Sequence, residues 1–125
     1  MKELVKIFKA LSDPARIRIV KLLEKKDMCV CELKEALGIG QSNVSHHLRI
    51  LKEAGLVDDF KDGLWVNYTL PKKKGRDTGK VLKMISGLLN DSEDIRNFLI
   101  KAKTADRERI CCKPNSMKSA CRKNK

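Results

Sequence analysis

Five cysteines carry the most distinctive side-chain chemistry of this 125-residue chain: Cys29 and Cys31, two residues apart, and Cys111, Cys112 and Cys121. Thiolates are soft ligands that select soft metal ions, and trivalent arsenic shares the preference. Residues two apart in an extended segment point to the same side. A strand-like stretch from Met28 to Cys31 therefore turns Cys29 and Cys31 outward together and Met28 and Val30 inward. The plainer reading is two small buried cysteines, which are common in cores. The odd count, with a first hexapeptide that carries charge through its apolar positions, speaks against a secreted disulfide scaffold and for reduced thiols. A thiol enzyme is excluded, because a catalytic cysteine needs a base and the two histidines, His46 and His47, fall on a helix with another task. A structural zinc module would need four of the five cysteines. A thiol-redox switch would pair Cys111 or Cys112 with Cys121 or Cys29.

That other task belongs to the segment beginning at Gln41. At 100° per residue Val44, Leu48 and Leu51 form one stripe facing a core. The opposite side carries Ser42, Ser45, His46 and Arg49, with Gln41 in the exposed first turn. Short hydrogen-bonding side chains and a guanidinium near a helix start are what a major-groove helix needs. The alternative is a solvated polar face. Adjacent histidines point about 100° apart on a helix, so His46 is assigned to DNA and His47 to the edge of the core.

The flanking elements must position these groups. Residues 2–11 form a short helix with Leu4, Val5, Phe8 and Leu11 at helical spacing. Asp13-Pro14 starts a second helix, running to about Glu24 with Ile17, Val20 and Leu23 inward. A third runs from the cysteine segment through Leu37 and stops at Gly38. After a Gly38-Ile39-Gly40 turn comes the Gln41–Ala54 helix, halted by Gly55. Residues 56–70 change to a period of two around Asp62-Gly63, a hairpin signal. A basic linker (72–79) leads to a helix near 80–90 and another near 92–104 carrying Ile95, Phe98, Leu99 and Ala102. The reading is a mainly α domain over 1–104 with one small β-hairpin, followed by a basic, cysteine-containing tail over 105–125.

A formal net charge of +12 and a pI near 9.7 suit either solubility or a phosphate footprint. From Lys101 to Lys125 nine Lys/Arg stand against two acids, and Lys72-Lys73-Lys74-Gly75-Arg76 is a second basic run. No apolar stretch nears the roughly 18 residues of a membrane span. A cytoplasmic protein without membrane partners is expected.

Three segments together resemble the ArsR/SmtB family of metal-sensing repressors: Ala10-Leu11-Ser12-Asp13-Pro14-Ala15-Arg16-Ile17-Arg18-Ile19, Cys29-Val30-Cys31-Glu32-Leu33, and Gln41 through Val57, the last highly characteristic. The resemblance covers roughly residues 4 to 100. It implies a winged helix-turn-helix and a symmetric homodimer joined through the first and last helices. Double-stranded operator DNA would be bound with one recognition helix per half-site. Gln41, Ser42, Ser45, His46 and Arg49 then form the reading face, and Lys61 on the wing reaches phosphate. Gly40 stands where the family often has Ser, and the wing segment Asp58–Gly63 is more acidic than the family's Arg-rich wing.

The family's arsenic and cadmium/lead sensors share the Cys-Val-Cys spacing, so the resemblance makes Cys29 and Cys31 inducer ligands. Arsenic sensors often add a cysteine three residues on, where Lys34 stands. Cadmium/lead sensors use an N-terminal arm, and this chain has no cysteine before Cys29. Some arsenic repressors bind through a C-terminal Cys-Cys and a nearby Cys, so Cys111, Cys112 and Cys121 complete the first site, form a second, or are incidental exposed cysteines. Residues 80–103 lack the histidine of the zinc and nickel sensors. As(III) or Sb(III) is the expected inducer, ahead of Cd or Pb, with no organic cofactor. Repression would hold when the protein is empty and end when the ion binds. A hundredfold loss of operator affinity requires about 2.7 kcal/mol of preference for the released form.

Overall fold

A computed structural model describes residues 1–104 of the chain. The element order is α1 (Lys2–Ala10), α2 (Pro14–Leu23), β1 (Met28–Cys29), α3 (Val30–Leu37), α4 (Gln41–Glu53), β2 (Asp58–Asp62), β3 (Trp65–Thr69), α5 (Arg76–Ser86) and α6 (Glu93–Thr104). Among the described residues no helix is long and apolar enough to cross a membrane. The tail cysteines Cys111, Cys112 and Cys121 lie outside the described residues.

Local signals set the helix limits. Asp13 Oδ1 accepts from the Ala15 N–H at 2.8 Å, with Pro14 in the first helical position, so α2 starts as its sequence predicts. Gly38 closes α3 at φ +68°, a left-handed conformation that costs a residue with a Cβ. Gly55, at φ +78°, turns the chain out of α4. Ile19, Val20, Leu22 and Leu23 of α2, Leu33 and Ala36 of α3, and Val44, Leu48 and Leu51 of α4 are buried in one core. Leu56, Val81, Leu82 and Ile85 join it. Ile17, expected inward, is only half-buried.

The sheet is larger than the expected hairpin. β1 pairs antiparallel with β3, Met28 opposite Tyr68 and Cys29 opposite Asn67, giving the order β1-β3-β2. β1 is two residues long, too short to show a period in sequence. Asp62 pairs with Trp65, so the tight turn holds Gly63 and Leu64. Gly63 at φ +63° meets the demand of a two-residue hairpin loop for glycine at its first central position.

Two further departures concern helices. α5 begins at Arg76, four residues before the expected 80, because Gly75 takes the N-cap position and Asp77 favours the first turn. In α1 the apolar residues divide between two faces. Ile7 and Ala10 enter the core, while Val5 and Phe8 stay about half exposed. α5 packs against α1, whereas α6, the last described helix, lies mainly on α2 and α3.

Candidate nucleic-acid interface and thiol site

Val44, Leu48 and Leu51 seat α4 on the core, and that seating decides what the helix shows to solvent. Ser42, Asn43, Ser45, His46 and Arg49 are exposed, and Gln41 is half-buried rather than exposed. Gly40 supplies no side-chain cap, so the first N–H groups of α4 rely on solvent or a ligand. Arg49 donates from Nη2 to His46 Nδ1 at 3.1 Å, one turn away. Two residues of the expected reading face thus form a pair. Asn43 was missed by the sequence reading, although it lies in the same exposed first turn as Ser42.

The strand pair β2–β3 follows α4 and is joined to it by an ion pair between Lys52 and Asp59. Lys61 is exposed, as are Phe60 of β2 and Leu64 in the turn. Asp59 is taken up by Lys52 of α4 at 2.8 Å, and that carboxylate raises the Lys52 pKa. Asp62 accepts from Asn67 Nδ2 at 3.3 Å. The acidic wing is thereby partly committed to internal contacts.

His47 is half-buried at the core edge, its expected place. Its Nδ1 lies 3.1 Å from Nη1 of Arg16 on α2, and Arg16 Nε donates to the Ala10 carbonyl at 2.6 Å. Burial holds the His47 pKa below the usual histidine range, against the opposing charge of Asp13. The sequence reading missed this contact, which spans 31 residues and leaves no periodic trace. It also missed Lys21, whose periodicity says nothing of burial. Lys21 Nζ donates to the Ile85 carbonyl at 3.1 Å and to Asn90 Oδ1 at 2.9 Å, and pairs with Glu24 at 2.7 Å.

The cysteine segment departs most from expectation. Cys29 and Cys31 do not face outward: Cys29 is fully buried and Cys31 is 7% exposed. The physical reason is that extended chain ends at Cys29. Val30 already lies in α3, with Cys29 as its N-cap, so the alternation that would place both thiols on one open side never develops. Met28 and Val30 are buried, as predicted. Glu32 Oε1 accepts from the Cys29 N–H at 3.1 Å in a capping box, and Lys26 Nζ lies 3.2 Å from Glu32 Oε2. Burial first, and the Glu32 charge with it, push the Cys29 thiol up to about 11, although the Glu32 N–H acts the other way. Cys29 is a free thiol, so the alternative of a disulfide through Cys29 is not realised in this structure. Among the described residues no three His, Cys, Asp or Glu side chains are grouped to hold a metal ion.

Comparison with known proteins gives this geometry a context. The family described as "Bacterial regulatory protein, arsR family" matches residues 13–59, from the N-cap of α2 to the second residue of β2. An uncharacterized HTH-type transcriptional regulator of Methanocaldococcus jannaschii is 41% identical over 83 residues, covering 66% of this chain and 90% of the relative. The arsenical resistance operon repressor of Escherichia coli is 46% identical over 67 residues, 53% of this chain and 57% of that protein. The transcriptional repressor BigR from Xylella fastidiosa superposes with a TM-score of 0.63 at 27% identity, over 74% of this chain and 88% of that one.

Proposed function

This chain belongs to the ArsR family of bacterial regulatory proteins, DNA-binding transcriptional regulators rather than enzymes, and on that premise we propose that it is an operator-binding repressor released by a soft thiophilic ion. The observation that carries the proposal is the exposed polar face of α4 held over a buried Val44–Leu48–Leu51 stripe. In this reading Gln41, Ser42, Ser45, His46 and Arg49 meet the major groove, and Lys61 meets phosphate. Residues 1–104 are the DNA-binding unit and 105–125 a basic, cysteine-bearing extension. Two copies act together, each on one half-site. The half-exposed Val5 and Phe8 of α1, Met84 of α5 and Leu88 just after it support an interface through α1 and α5, since α6 is engaged on α2 and α3. The test is fluorescence anisotropy with a duplex that the protein selects from a random library. Failure to enrich any sequence over nonspecific binding overturns the reading.

The inducer is As(III) or Sb(III), ahead of Cd or Pb, with Cys29 and Cys31 as ligands and a third from Cys111, Cys112 or Cys121. The buried, protonated Cys29 thiol favours that order. A divalent cation must expel a proton from each thiol it binds. Arsenous acid needs no such expulsion: each S–H proton leaves with an arsenic-bound hydroxide as water, and an S–As bond replaces S–H and As–OH. Reduced protein bearing Cys29→Ser and Cys31→Ser should still bind DNA and no longer leave it on addition of arsenite. Arsenite release that survives both substitutions makes the assignment wrong.

A further inference from the structure

Three cations of α2 each reach a different element. Arg18 lies over the Phe98 ring of α6, 4.8 Å from its centroid. Lys21 holds the end of α5 through the Ile85 carbonyl and the following turn through Asn90. Arg16 reaches the opposite way. Its guanidinium binds both the last carbonyl of α1, at Ala10, and His47 of α4. One rigid, planar fork therefore joins the helix with an open apolar face to the helix with the exposed polar face.

The chemistry of the pair fixes its protonation. A guanidinium offers only donors and does not lose its proton. His47 Nδ1 must accept, which places the imidazole proton on Nε2. An imidazolium has no lone pair for Arg16 and would set a second cation 3.1 Å from the first.

We infer that Arg16 and His47 are positioning residues for DNA binding: Arg16, anchored on the Ala10 carbonyl, fixes α4 against α1 and α2, and proton uptake by His47 opens the joint. The inference rests on the DNA-binding reading proposed above. The charges acting on His47 are Asp13 at the N-cap of α2, Arg16 on α2 and His46 on its own helix. Among the described residues α1 brings the Ala10 carbonyl, and α3, also packed on α4, adds no charge to this set. Burial lowers the His47 pKa in the fold, so the joint is fully stable above the ordinary histidine value. It loses stability as pH falls through that value toward the lowered one.

The experiment uses the full chain and a fluorescent duplex selected by the unmodified protein, titrated by anisotropy from about pH 8 to about pH 5.5 at constant ionic strength, the range in which histidine titrates. Affinity should fall about tenfold or more toward acid. His47→Gln, whose amide oxygen still accepts from Arg16 but does not titrate, should hold affinity near neutrality and flatten the profile. Arg16→Met should bind about tenfold more weakly near neutrality. A role confined to fold stability would lower the melting temperature of these variants and leave the pH profile of the folded protein unchanged. A His47→Gln profile that retains the original acid loss overturns the inference, and so does an Arg16→Met variant that binds like the original. If Arg16→Met does not fold, His47→Gln decides alone. If the unmodified protein selects no duplex, the DNA-binding reading falls and the inference with it. Sound DNA binding with an unmoved profile sinks only the Arg16–His47 pair.

Discussion

Arg49 and His46 hold one another in the free protein, so contact with a base or phosphate must extend that pair or exchange it. Arg49→Ala removes an exposed side chain on which no core packing depends, and the fold should keep its melting temperature. Binding to the selected duplex should weaken by about 1–3 kcal/mol. The salt dependence then identifies the contact: a slope reduced by about one marks a phosphate partner, and an unchanged slope a base. At the same scale, the proposed ion response takes its pH dependence from Cys29. Its thiol, pushed up to about 11 by burial and by Glu32, stays protonated across the neutral range. Operator release by cadmium should therefore gain about tenfold in sensitivity per pH unit for each proton expelled. Release by arsenite, whose exchange liberates water and no proton, should be nearly flat from about pH 6 to about 8. Titrating release with both ions across that window checks this, and equal slopes would remove the argument for arsenic.

The two glycines between α3 and α4 separate what is legible in a sequence from what is not. Gly38 sits at φ +68° with no atom within 4 Å of a would-be Cβ, so Gly38→Ala pays only for its backbone, roughly 1–2 kcal/mol. Gly40 has an extended, negative φ and equally open space, so Gly40→Ser should be neutral or stabilising by a few tenths of a kcal/mol through a restored N-cap. Urea unfolding of the two variants, read at constant m, checks the opposite signs. Such local signals are readable because each acts within a few residues. The Asp13-Pro14 start, the Gly38 and Gly55 stops, the Val44–Leu48–Leu51 stripe and the β2–β3 hairpin are all of this kind. β1 was read as the start of a longer extended run because a two-residue strand exists only through its pairing with β3, about 40 residues away. The same missing information put Cys29 and Cys31 on an open face: the onset of α3 at Val30 buried them instead. Arg16–His47 and Lys21 were invisible for a related reason. Each depends on which helices meet, and no spacing within one helix reports that.

At the scale of the molecule, the distribution of apolar surface decides how many copies bind. α1 and α5 pack together, yet Val5 and Phe8 of α1, Met84 of α5 and Leu88 just beyond it remain about half exposed. The α2, α3 and α4 faces, in contrast, close into one core. In a chain of net charge +12, self-repulsion opposes association, so a dimer requires apolar burial sufficient to outweigh it. Phe8→Glu places a charge in the centre of this face without touching the α4 surface. It should convert a dimer to a monomer in sedimentation velocity while leaving the helical circular dichroism signal in place. Operator affinity should fall by about a hundredfold or more, because two linked half-site contacts become one and the effective-concentration gain between them is lost. Binding of a duplex carrying a single half-site should change little. If Phe8→Glu remains dimeric, the interface lies elsewhere. If it becomes monomeric and still binds the full site with unchanged affinity, the two-copy reading of operator recognition fails.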